Sequence, residues 1–179
     1  MLFRSLALGP VAGRGAAKLC ASHYSVMVKG LSQVFAGGPA LVARIGQKVS
    51  KEELGGSSVH ARNGTVDDEA ASEEEAFERT RRFLSYLPRS VDHLPPRVQT
   101  GDDPARREEK LLSIIPRDTR KVYPMRAIIE AVTDQGSFFE IGRLWGRSVV
   151  TGLARLDGHA VAVFGSDPYH YAGAWTRAS

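Results

Sequence analysis

Alternation of apolar and polar positions is most regular in "SVVTGLARLDGHAVAVFG", residues 148–165, where two β-type runs flank Asp157 and Gly158. That dipeptide favours the left-handed backbone of a type I′ turn, so the stretch predicts a β-hairpin with His159 on a strand beside the turn. "YSVMVKG" (residues 24–30) predicts a short strand over Tyr24–Val28, with Gly30 as punctuation. A helical period dominates "SEEEAFERTRRFLSYLP" (residues 72–88). Ser72 stands as N-cap with Glu75 at the capping-box position, and Ala76, Phe77, Thr80, Phe83, Leu84 and Leu87 make one apolar stripe. Glu75 with Arg79 and Glu78 with Arg82 are spaced for pairing across one turn, and Pro88 is the expected stop. Shorter helices are predicted after Pro39, carrying Leu41, Val42 and Ile45, and over "SKEELGG", with Ser50 capping, Glu53 at the third position and Gly55 and Gly56 as terminators. A further helix opens at Pro124, carries Met125, Ile128, Ile129 and Val132, and is expected to close at Gly136.

Between the helix after Ser72 and the one after Pro124 runs "PRSVDHLPPRVQTGDDPARREEK", polar and proline-rich, which reads as a linker or an extended wrap. The predicted hairpin is followed only by "SDPYHYAGAWT" and three more residues, with no element in sight for the new sheet to pack on. A fragment is the expectation.

Composition refines this picture. With 179 residues, 42% hydrophobic and 25% charged, the chain has the balance of one globular domain, and no apolar run approaches the ~18 residues of a membrane span. The single cysteine, Cys20, excludes an internal disulfide and a cysteine-cluster metal site. Net charge is +4, and residues 1–51 contain no acid while Arg4, Arg14, Lys18, Lys29, Arg44, Lys48 and Lys51 are scattered singly. Scattered charge without an aromatic platform argues against a nucleic-acid surface. An acid-free N-terminus also resembles a mitochondrial transit peptide, but Pro10 and the glycines from Gly9 onward interrupt any amphipathic helix of useful length. A P-loop needs glycine before its lysine, where Lys18 follows Ala17, and the dinucleotide fingerprint needs a small residue where Lys18 stands.

No metal-ligand spacing joins His23, His60, His93, His159 and His170, which read as surface or satisfied histidines, and no spacing singles out a Ser/His/Asp triad. What remains are the glycine turns at Gly13–Gly15 and Gly37–Gly38, whose backbone N–H groups can face a developing oxyanion, a contribution of ~3 kcal/mol per donor.

Taken in order, "GPVAGRGAA", "SVMVKG", "FAGGPALV", "EELGG..VH", "RRFLSYLP", "LPP", "IIPRD", "YPMRAIIEAV", "FFEI" and "VVTGLARLDG" resemble the biotin-dependent acyl-CoA carboxyltransferase subunits of the propionyl-CoA and acetyl-CoA carboxylase β type. The resemblance implies an α/β, crotonase-like (ClpP/crotonase) β-β-α superhelix in two halves, of which this chain holds only part. Residues 1–94 would be the later part of the N-terminal half, 95–122 a linker, and 123–179 the opening of the C-terminal half.

The same resemblance implies transfer of a carboxyl group from carboxybiotin, on a biotinylated carrier of a biotin carboxylase partner, to the α-carbon of an acyl-CoA. It places the oxyanion amides on Gly13 and Arg14, with Arg14 standing where the family has a second glycine, and substrate binding on Gly15, Phe35, Gly37, Gly38 and Pro39. Gly15 is the candidate to take over the flexibility lost at Arg14. Homo-oligomers, a cytoplasmic or mitochondrial-matrix location, no metal, no nucleic acid and no membrane complete these expectations. A non-catalytic assembly module, or a split product completed by another chain, is the competing class.

Overall fold

The computed structural model describes residues 3–176, which fall into two compact units parted between Arg81 and Arg82.

The first unit is built by repetition. Strand β1 (Arg4–Ala7), strand β2 (Pro10–Ala12) and helix α1 (Arg14–Cys20) form one strand–strand–helix repeat. Strand β3 (Tyr24–Val28), strand β4 (Gln33–Phe35) and helix α2 (Pro39–Ala43) form the next. First strands pair with first strands: β1 lies parallel to β3 in the register Arg4↔Tyr24 to Ala7↔Met27. Second strands pair separately, β2 parallel to β4 from Pro10↔Gln33 to Ala12↔Phe35. Short helices α3 (Lys51–Gly55) and α4 (Ser57–His60) lead to β5 (Asp68–Ala70), which adds to the other side of β3. Helix α5 (Glu73–Ser85) then carries the chain out of the first unit.

Strand β3 is buried at all five residues, as a central parallel strand must be when both its faces are covered. Ala7, Tyr24, Val26, Met27 and Ala61 are fully excluded from solvent, and α1 adds Ala16 and Leu19, three residues apart on one helix face. Tyr24 donates to Asp68 Oδ2 at 2.7 Å, and Arg79 reaches the same oxygen at 2.9 Å. Burial pushes both the Tyr24 hydroxyl and the Asp68 carboxyl up, the latter against the pull of the Arg79 guanidinium.

The expected capping devices form. Ser50 and Glu53 close a full capping box, and Pro39 occupies the first turn of α2. At α5, Ser72 Oγ accepts from Glu75 N, while the Glu75 carboxylate reaches back one residue further than expected, to the Ala71 amide. Glu75 and Arg79 pair at 3.8 Å. Glu78 and Arg82 do not: Arg82 instead donates to the carbonyls of Gly136 and Phe138, because those acceptors lie within its reach at 2.7 and 2.8 Å. Phe77, placed in the apolar stripe by its period, is exposed, and α5 ends at Ser85, three residues before Pro88.

Residues 4–20, open to a targeting reading on composition, are strands and a helix of the fold. The glycines that were expected to prevent a helix here flank or pack it instead.

In the second unit, after a stretch with a single 3-10 turn at Glu109–Leu112, α6 (Met125–Val132) precedes β6 (Phe139–Ile141), β7 (Val149–Leu156) and β8 (His159–Ser166). The three strands are antiparallel in the order β6-β7-β8. Asp157 and Gly158 both have positive φ, 49° and 76°, as the type I′ turn requires. The new sheet does have an element to pack on: a Cβ built on Gly165 would lie 3.0 Å from Met125 Cγ, so α6 sits directly against β8. That helix ends at Val132; Gly136, also at positive φ, belongs to the turn beyond it.

Buried Arg155 donates to the carbonyls of Pro96, Gly158 and Ser85 and lies 4.9 Å over the Tyr86 ring, and with Arg97, which donates to Asp157, and Val98 N, which donates to Gly158 O, it ties the polar "linker" to the hairpin. Asp134 accepts from both turn amides, Asp157 N and Gly158 N, at 2.9 and 2.7 Å.

Candidate active site at the Gly13 turn

Parallel pairing of β2 with β4 decides what the site contains. Because Ala12 is in register with Phe35, the two glycine turns that follow these strands emerge side by side at their carboxyl ends. Gly13–Gly15 and Phe35–Pro39, twenty residues apart in the chain, thus share one edge. Open α/β sheets offer ligand sites at such carboxyl ends.

Gly13 N donates to Phe35 O at 3.1 Å, extending the ladder by one bond. The amide of Gly13 is therefore engaged within the fold. Gly13 itself takes φ 59°, ψ −123°, a conformation open essentially to glycine alone, and then serves as N-cap of α1. Arg14 and Gly15 are the first two helical residues, and among the described residues no acceptor meets their N–H groups. First-turn amides have no partner inside their own helix. No acid stands in that turn, and the Arg14 side chain is exposed beside it.

Arg14 needs no glycine conformation here, since positive φ falls on Gly13 and Arg14 is helical. Gly15 does not supply flexibility. It has no positive φ, and a Cβ on it would lie 3.1 Å from Val11 Cγ1, so its role is the close approach of α1 to β2. On the facing turn, a Cβ on Gly38 would touch the Phe35 ring at 3.5 Å and one on Gly37 would meet Leu41 Cδ2 at 2.5 Å. Phe35, Gly37, Gly38 and Pro39 are all half-buried.

Behind β4 lies a clasp. Gly55 approaches Val34 O so closely that a Cβ would stand 2.2 Å away, Gly56 bridges Gln33, and Gln33 Nε2 donates to Glu52 Oε2 at 2.9 Å. His60 Nε2 contacts Val34 O at 2.7 Å. Thus "EELGG..VH" is a device for gripping one strand. Its glycines read in sequence only as helix terminators, and His60 only as one more satisfied histidine. Spacing within a helix says nothing of which strand the helix will meet.

Among the described residues no group of His, Cys, Asp and Glu is arranged to hold a metal ion, and no helix is long and apolar enough to cross a membrane.

Repeated β-β-α units with glycine turns at the carboxyl ends of their strands make a crotonase-like α/β architecture, and comparison with known proteins supplies the family. The Carboxyl transferase domain family matches residues 4–179, and the chain belongs to that family. It is 34% identical over 171 residues to the propionyl-CoA carboxylase carboxyltransferase subunit of Haloferax mediterranei, covering 94% of this chain and 33% of the relative. It is 33% identical over 171 residues to methylmalonyl-CoA decarboxylase subunit alpha of Veillonella parvula, with 94% of this chain and 34% of the relative covered.

Among solved structures it superposes on transcarboxylase 12S, described as a hexamer with methylmalonyl-CoA and methylmalonic acid bound, with a TM-score of 0.89 at 26% identity, over 95% of this chain and 33% of that one. A single-chain, multi-domain long-chain acyl-CoA carboxylase shares the fold, with a TM-score of 0.82 at 24% identity, over 99% of this chain and 17% of that one. The chain spans about a third of the length of the curated relatives it matches.

Proposed function

We propose that the chain is part of the carboxyltransferase component of a biotin-dependent acyl-CoA carboxylase, acting on acetyl-, propionyl- or a similar acyl-CoA. The observation that carries this is the Gly13 turn: a glycine-only N-cap, two open amides and a second glycine turn at its side, within a chain matched end to end by carboxyltransferases. Carboxybiotin, on a biotinylated carrier of a biotin carboxylase partner, supplies an activated carboxyl group.

The contribution of this chain is electrostatic. Amides at the head of α1 hold the thioester oxygen as the α-carbon loses its proton and the oxygen takes up charge, and binding is stronger to that enolate than to the ground state. With Gly13 N engaged by Phe35 O, the donors of the Gly13–Arg14 turn are the amides of Arg14 and Gly15. Phe35, Gly37, Gly38 and Pro39 line the acyl-CoA side.

In terms of the family's two halves, residues 1–94 belong to the first, 95–122 link them, and 123–179 open the second. This is a division by family halves and differs from the division into compact units. The relatives named above are archaeal and bacterial, which suits a cytoplasmic homo-oligomer and lends no support to a mitochondrial location.

Incubation with a carboxybiotin donor and propionyl-CoA, followed by mass spectrometry of the carboxylated product, tests the reading. Negligible turnover is expected from the chain alone, and product when the remaining two thirds of the Haloferax mediterranei subunit is supplied as a second polypeptide. Turnover by the chain alone would refute the need for completion. No product in the completed mixture, together with a sharp monomeric melt indifferent to acyl-CoA, would favour a non-catalytic assembly module.

A further inference from the structure

Strand β4 is held from both sides. Phe35 turns its carbonyl to the Gly13 amide at 3.1 Å, and Val34, the residue before it, turns its carbonyl the other way, to His60 Nε2 at 2.7 Å. Successive residues of a strand alternate in this manner. A carbonyl oxygen only accepts, so Nε2 carries the proton. The other ring nitrogen, Nδ1, is buried without a hydrogen-bond partner among the described residues. Helix α4, which carries His60, is itself anchored at its other end by Ser57 Oγ donating to Glu69 Oε2 on β5 at 2.7 Å. The approach of Gly55 to Val34 O leaves no room for β4 to drift toward α3.

We propose that His60 is a positioning residue for the Gly13 turn. Its Nε2–H fixes the Val34 carbonyl, β4 is thereby held in place, and Phe35 O keeps Gly13 N at the end of the ladder so that the next two amides face outward. The inference rests on the oxyanion reading of that turn. Its physical content, a link from His60 through Val34 and Phe35 to Gly13, is measurable without substrate.

The test is amide hydrogen exchange by NMR on the 15N-labelled chain, comparing Gly13 with Val26 and Met27 of the buried β3. His60→Ala is expected to accelerate exchange at Gly13 by about tenfold more than at β3, the scale of one lost hydrogen bond. His60→Gln, whose amide nitrogen can still donate to Val34 O, is expected to return Gly13 to within about threefold of the unchanged chain. Equal acceleration at Gly13 and β3, or none at Gly13, would show a merely structural histidine and overturn the proposal. Should His60→Ala not fold, the imidazole nitrogen signals of the unchanged chain decide: a proton on Nε2 supports the link, and a ring protonated on Nδ1 with Nε2 bare refutes it. Because no readout involves acyl-CoA, intact coupling in a completed enzyme that transfers no carboxyl group would count against the proposed function and not against this link.

Discussion

Gly55→Ala is the most informative single perturbation of the first unit. The added Cβ would stand 2.2 Å from Val34 O, 2.9 Å from Val34 C and 2.9 Å from Phe35 Cδ1, and two of these three atoms are backbone of β4. Ordinary contact begins near ~3.4 Å, so α3 must retreat by roughly 1 Å, since a strand paired on its other edge to β2 does not yield. Retreat strains the Gly56–Gln33 bridge and the Gln33–Glu52 hydrogen bond. Overpacking of this kind costs about 1–3 kcal/mol, and the loss of paired polar contacts puts the expectation at about 2 kcal/mol. The control is Gly101→Ala, where a Cβ meets nothing within 4 Å. Urea denaturation followed by far-UV circular dichroism should show a lowered midpoint for Gly55→Ala and none for Gly101→Ala. A Gly55→Ala midpoint equal to the control would refute the view that this clasp grips β4.

Three further outcomes are expected. Gly13→Ala forces an L-residue into positive φ and should cost about 1–2 kcal/mol, while Arg14→Gly, at a helical position, should cost less than about 1 kcal/mol; thermal melts of the two variants check the order. Bonds from the Ser50 backbone and hydroxyl hold the Glu53 carboxyl below its usual range, so the capping box contributes stability above the unfolded-state value and loses it as pH falls through the depressed folded value. In Ser50→Ala, carboxyl titration by NMR should find Glu53 moved back up. Arg155→Ala strands the carbonyls of Pro96 and Ser85, while Gly158 O keeps its bond from Val98 N, and should destabilise the second unit by about 2 kcal/mol, read from the fluorescence of Trp145 and Trp175 during denaturation.

Legibility in the sequence followed the range of the interactions. The β7–β8 hairpin, the Ser50 and Ser72 caps and strand β3 were readable because each depends on neighbours within a few residues. Strands β1, β2 and β4 were not, being three or four residues long and defined by parallel partners some twenty residues distant. Helix α1 was obscured because glycine lowers helix propensity, whereas here Gly13 caps the helix and Gly15 lets it sit against Val11. Arg82 could be assigned a partner on its own helix by spacing, yet the carbonyls of Gly136 and Phe138 outbid Glu78.

By itself the sequence determined the family, the local elements with strong capping or turn chemistry, and the two glycine turns as the places where backbone amides were open to use. Order and spacing of motifs carry that information, and no contact is needed to read it. Only the tertiary structure decided which amide is which. Pairing of β2 with β4 brings the turns together, consumes the Gly13 N–H on Phe35 O, leaves Arg14 and Gly15 open, and sets His60 behind the strand that holds them. A hydrogen-bond ladder is a relation between distant segments, so its register, and with it the direction of every amide at the site, exists only once the chain has folded.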